Sequence, residues 1–139
     1  MKPAFRRRAR KLAVQALYQW EMLKVPMTEI EAQFLAREDL DEVDVDYFRE
    51  LILGVESQVN TLDENFHLYL DRPIKDLTLV ELCVLRLAIF ELMNRPDVPF
   101  RVIINEALEL TKIFGSVEGF KYVNGVLDQA AKKLRASEF

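Results

Sequence analysis

The densest chemistry in this 139-residue chain lies at its amino end. Lys2, Arg6, Arg7, Arg8, Arg10 and Lys11 put six cations into the first eleven residues, with no acid among them. Like charges at that density repel one another, and a polyanion relieves the repulsion. The rest of the chain holds 13 basic against 23 acidic residues, so a formal net charge of −4 conceals a positive end on an acidic body. From Glu29 to Glu50 nine acids are set against only Arg37 and Arg49. At 100° per residue, Leu12, Ala13, Ala16, Leu17, Trp20 and Leu23 form one stripe, expected to face the core. Arg7, Lys11, Val14, Gln15, Tyr18 and Met22 fall opposite. Cations neutralise phosphates and release counterions, and a ring offers a stacking surface, so this mixture suits single-stranded RNA. The competing possibility is that Val14, Tyr18 and Met22 pack a second helix. The last helical stretch has the same form: Phe120, Val123, Leu127, Ala130, Ala131 and Leu134 inward, with Glu118, Tyr122, Gly125 and Gln129 outward. Tyr122 there is either a platform beside a glycine that allows close approach or a cover for an adjacent helix. Glu118 suits the positive end of the helix dipole in either case.

Catalytic arrangements are not evident. Asp39, Asp41, Glu42, Asp44 and Asp46 read as a solvated charge run around a helix start. The one histidine, His67, and the one cysteine, Cys83, leave no metal-ligand set, and Cys83 among leucines and valines reads as an inert core thiol. No glycine-rich loop follows a strand pattern to cradle a nucleotide. The expectation is a binding protein, not an enzyme, with neither metal nor cofactor. Unpaired cysteine usage fits a reducing compartment. No run of 18 apolar residues suggests a membrane span, and the basic start lacks a signal peptide's apolar core, so the cytoplasm is the expected location.

These residues need a helical scaffold to position them. Half of the chain is apolar, and only four glycines and five prolines occur. Apolar periodicity is helical nearly throughout. It predicts an all-α, compact bundle of about seven helices over 5–24, 28–38, 44–57, 59–71, 78–94, 100–114 and 117–135. Thr28 with Glu31, and Thr78 with Glu81, have the spacing of capping boxes. Pro99 suits the first position of a helix, and Gly115-Ser116 suits a stop followed by a cap. The Arg72-Pro73 step disfavours helix. The expectation is one domain over 1–139, with a break between two subdomains near 72–77. The stretch from Leu79 to Met93 is apolar on all sides except Glu81, Arg86 and Glu91, so it is read as the core helix, with Arg86 either paired or at an edge.

Taken together, RRRARKLAVQALYQWE, DVDYFRELILGV, VELCVLRLAIFEL, DVPFRVIINEALELTKIFG and KYVNGVLDQAA closely resemble the bacterial NusB family of transcription antitermination proteins. The resemblance runs in order through nearly the whole chain. It implies a NusB-like fold in two subdomains and a non-enzymatic, RNA-binding activity. Members pair with NusE, also a small-ribosomal-subunit protein, and bind boxA RNA. The complex then helps RNA polymerase pass terminators, notably in ribosomal RNA operons. By that resemblance Lys2, Arg6, Arg7, Arg8, Arg10, Glu118, Lys121 and Tyr122 are expected at the RNA, and Tyr18 and Glu81 at NusE. Arg86 is matched as well, its role open between a buried ion pair and the RNA edge. Residues 24–42 and 57–78 depart most from the family and are read as tolerant surface. The rival is a pure protein-interaction module, its basic start gripping an acidic partner or the acidic 29–50 segment of a second copy, the latter as a self-inhibiting homodimer of the free chain.

Overall fold

Pro3 starts the first helix, because its fixed φ suits a first turn and its missing N–H loses nothing there. Helix α1 (Pro3–Leu23) ends where Lys24 turns left-handed at φ 57° and returns its N–H to the Trp20 carbonyl at 3.0 Å. The computed structural model describes residues 2–37 and 39–139; Glu38, the last residue of the expected second helix, lies outside them. Among the described residues the elements are α1, α2 (Met27–Arg37), α3 (Val45–Glu64), α4 (Leu79–Asn94), α5 (Phe100–Phe114) and α6 (Val117–Leu134), with three short 3-10 turns and no strand. The chain forms two compact units, 1–57 and 58–139. The expected segments 44–57 and 59–71 are joined in the continuous α3, since neither glycine nor proline interrupts 55–64. The Arg72-Pro73 step falls inside the second unit, between the 3-10 turns His67–Tyr69 and Ile74–Asp76.

In the first unit α1 packs on α2. Ala9, Ala13 and Ala16 are completely buried, and their small side chains permit close approach. The Phe34 and Phe48 rings, 5.9 Å apart, join α2 to α3. Helix α2 is not opened by Thr28, which is its second residue. The Met27 N–H donates instead to the Glu56 carboxylate at 2.8 Å, so the cap comes from α3. Asp44 is likewise no member of a solvated run. It is buried, accepts the Tyr47 N–H at 3.0 Å to cap α3, and lies 3.6 Å from Arg6 Nε. Asp39, Asp41, Glu42 and Asp46 are exposed as expected.

The second unit is built on α4, buried without interruption from Glu81 to Leu92 and packed against both α5 and α6. Its capping box is complete: Thr78 Oγ1 accepts the Glu81 N–H at 3.1 Å, and the Glu81 carboxylate accepts the Thr78 N–H at 2.9 Å. Pro99 is the cap residue before Phe100, one place earlier than expected. Ser116 caps α6 through the Gly119 N–H at 3.0 Å. Gly115 is required at the α5–α6 join, because a Cβ there would lie 2.9 Å from the Thr111 carbonyl oxygen and 3.3 Å from Val80. At the carboxyl end Arg135 is buried and donates to the carbonyls of Leu92 (2.8 Å), Val98 (2.9 Å), Arg95 (2.8 Å) and Glu91 (3.3 Å), and it pairs with Glu138. Those carbonyls belong to the end of α4 and the turn that follows, which have few intrahelical partners of their own. Glu138 in turn accepts the Phe100 N–H at 3.1 Å, and the Phe139 ring stacks on Phe100 at 4.5 Å.

Candidate nucleic-acid interface

In the first unit the cations of α1 divide into two sets. Arg6 and Arg10 turn inward onto one aromatic ring, their guanidinium carbons 4.4 Å and 5.5 Å from the Tyr47 centroid. Arg10 is 3% exposed, so its charge is satisfied within the fold and does not meet solvent. Long side chains bury their stems readily, which a helical wheel drawn for a single neighbour does not anticipate. Lys2, Arg7, Arg8 and Lys11 remain exposed. The wheel fails at two apolar positions also: Val14 is buried, and Leu23, in the last turn of α1, is exposed.

Arg8 and Lys11 line an open groove of about 460 Å³ with Leu12, Gln15, Val43 and the acids Asp39, Asp41 and Glu42. Arg8 reaches the Glu42 carboxylate at 3.5 Å and its carbonyl at 3.3 Å, and both side chains are largely exposed. A surface pair of this kind contributes about 0–1 kcal/mol and is screened by salt, so a strand of phosphates can compete with it. About two turns beyond Lys11 on α1, Tyr18 and Met22 are exposed with Leu23, an apolar cluster at the end of the helix.

In the second unit Glu118 and Lys121 are exposed on the first turns of α6, and Tyr122 is half-buried. The Tyr122 hydroxyl accepts the Asp71 N–H at 3.3 Å, and Arg72 lies over its ring at 4.4 Å. Asp71 grips Arg72 through two contacts, 2.6 Å to Nε and 3.2 Å to a terminal nitrogen. That bond holds the Asp71 carboxyl below its usual range and raises the Arg72 guanidinium, while burial pushes the Tyr122 hydroxyl up. In the sequence Asp71 and Arg72 stand out only as a chain break in tolerant surface. The one signal for them was an acid and a base adjacent to a proline.

Arg86, open between a buried ion pair and the RNA edge, and Glu81, expected at NusE, are both buried. Arg86 makes a bidentate pair with Asp63, two contacts of 2.9 Å, and is 8% exposed. Glu81 is engaged in the α4 capping box and is also 8% exposed. Among the described residues no cluster of His, Cys, Asp or Glu could hold a metal ion, and no helix is long and apolar enough to cross a membrane.

The fold and its exposed groups define an all-helical protein whose first helix carries a cationic outer face. The NusB family model matches residues 7–132, and the chain belongs to the NusB family. It is 56% identical over 135 residues to a transcription antitermination protein NusB of Idiomarina loihiensis, covering 97% of each chain. It is 53% identical over 136 residues to that of Alcanivorax borkumensis, covering 98% of this chain and 91% of the relative. Among solved structures, T. maritima NusB superposes with a TM-score of 0.82 at 32% identity, over 91% of this chain and 90% of that one. A structure of NusB and NusE in complex with double-stranded RNA matches the fold with a TM-score of 0.84 at 23% identity, over 95% of this chain and 99% of that one.

Proposed function

We propose that this chain is a non-enzymatic transcription antitermination factor that pairs with NusE and holds boxA RNA, acting with RNA polymerase notably in ribosomal RNA operons. The observation that carries the proposal is the exposed cationic face of α1, with Arg7, Arg8 and Lys11 turned to solvent. It is supported by the name of the curated relatives, transcription antitermination protein NusB, and by the fold shared with a NusB bound to NusE and RNA. The work is binding throughout. Phosphates supply most of the affinity, and stacking and base-edge contacts supply the selection. Such a factor acts on nascent transcripts, which places it in the bacterial cytoplasm.

Arg7, Arg8, Lys11 and Lys2 are the residues we assign to phosphates in the first unit, with Arg6 and Arg10 as their support through Tyr47. Glu118, Lys121 and Tyr122 are assigned to the RNA in the second unit. Tyr18, with Met22 and Leu23 beside it, is assigned to NusE. Glu81 serves the partner indirectly, by holding the start of α4, and Arg86 serves the fold through Asp63. The test is competition between boxA and scrambled single strands, and a duplex, for the chain bound to NusE. Preference for single-stranded boxA, weakened by Arg7→Ala with Arg8→Ala and Lys11→Ala, is the expected result. Equal affinity for the scrambled strand, or an unaffected triple variant, contradicts the proposal.

A further inference from the structure

We infer that Arg72, fixed on Tyr122 by Asp71, is an RNA-base platform in the second unit. The inference deepens the proposed RNA binding and rests on it. One face of the Tyr122 ring is already taken by the Arg72 guanidinium, 4.4 Å from the centroid. A base approaching from that side therefore meets the guanidinium first. The Asp71 carboxylate holds that plane along the edge carrying Nε and one terminal nitrogen, at 2.6 Å and 3.2 Å. The Asp71 N–H is itself anchored on the Tyr122 hydroxyl, so ring, carboxylate and guanidinium form one assembly. The Arg72 side chain is nevertheless 42% exposed. A flat group held from beneath and along one edge loses little freedom when something stacks on its outer face. RNA bases stack on arginine planes as well as on aromatic rings.

The local charge points to a base and not to a phosphate. Asp71 neutralises Arg72, and exposed Glu118 stands one turn before Tyr122 on the same face of α6. A phosphate or an acidic peptide gains little from the neutralised pair and is repelled by Glu118, whereas an uncharged base is not. Gly125, one turn after Tyr122, leaves the approach open: a Cβ there would meet nothing within 4 Å. A glycine inside an exposed stretch of helix weakens it and packs nothing here, so the fold gives no reason for it.

The experiment uses the full chain bound to NusE and single-stranded boxA RNA with 2-aminopurine replacing each adenine in turn. The wild-type complex is expected to quench at least one position by stacking. Arg72→Ala should abolish that quench and weaken binding by about tenfold, within the range for one stacked base, and leave the salt dependence of affinity unchanged. Arg72→Lys keeps the charge but not the plane, and should behave as Arg72→Ala. Tyr122→Phe keeps the ring and should retain the quench, and Tyr122→Leu should lose it. Circular dichroism checks that these surface variants stay folded. Rescue by Arg72→Lys, or a salt slope shallower by about 0.7 in Arg72→Ala, identifies a phosphate contact and overturns the platform. Wild-type-like binding and quench in Arg72→Ala overturn it too, while leaving RNA binding standing. A wild-type complex that binds no RNA overturns the proposed function and the platform together.

Discussion

Replacing Arg86 by Met separates a structural role from an RNA contact. In the structure its guanidinium makes two 2.9 Å contacts to the Asp63 carboxylate. The side chains are 10% and 20% exposed, so Arg86→Met strands a carboxylate with limited access to water. Breaking a buried pair by removing one partner destabilises by about 3–5 kcal/mol. The residual exposure of Asp63 moves the expectation to just below that range, about 2–3 kcal/mol. For a chain of this size that corresponds to a fall of about 8–12 °C in Tm. Replacing both residues by apolar ones of similar volume, Arg86→Met with Asp63→Leu, removes the stranded charge and should recover most of the loss. Urea unfolding followed by circular dichroism measures both variants, and RNA titration well below the transition should show wild-type affinity. A variant of full stability that binds RNA more than tenfold worse would refute the structural assignment and return Arg86 to the RNA surface.

Other substitutions test other parts of the structure. Gly115→Ala should destabilise by about 1–3 kcal/mol in thermal unfolding, because its Cβ has no room beside the Thr111 carbonyl. Gly125→Ala should instead stabilise α6 by about 0.5–1 kcal/mol, and equal effects at the two glycines would contradict the packing described. Glu138 is held below its ordinary 4.5, first by the Phe100 N–H and then by Arg135. Its contribution is therefore present above 4.5 and lost as pH falls through the lower folded value, so the Phe100 amide resonance should titrate below 4.5. Titration at or above that value would detach Glu138 from the clamp. Tyr18→Ala should weaken NusE binding in calorimetry with no change in Tm, whereas Glu81→Ala should lower stability by about 1 kcal/mol through its lost cap. The reverse pattern would exchange the two roles.

Local signals account for how much of this was readable beforehand. Thr78 and Glu81 cap α4 as their spacing requires, since a capping box involves only residues three apart. The same pattern at Thr28 misled, because Glu56, distant in sequence, supplies the cap. The core helix was legible from composition alone, whereas the faces of α1 were legible in part: Ala13, Ala16 and Leu17 are buried as their spacing requires, but Val14, Leu23 and Arg10 depend on what surrounds the helix and where it ends. Asp44 looks identical to its acidic neighbours in sequence and differs only by meeting Arg6 and the start of α3. Besides their near neighbours, Arg135 reaches carbonyls 37–44 residues away and Arg72 a ring 50 residues away, beyond any motif. Family resemblance pointed to Tyr122, but the covering of its ring by Arg72 required coordinates.

The dependence of RNA affinity on salt tests the central claim most directly. For the chain bound to NusE, phosphate contacts from Lys2, Arg7, Arg8 and Lys11 predict a slope of log affinity against log salt near −3 for single-stranded boxA. Arg7→Ala with Arg8→Ala and Lys11→Ala should make it shallower by about 2, with helicity unchanged. A slope that stays at its wild-type value in that variant would contradict the assignment of α1's exposed cations to the RNA backbone.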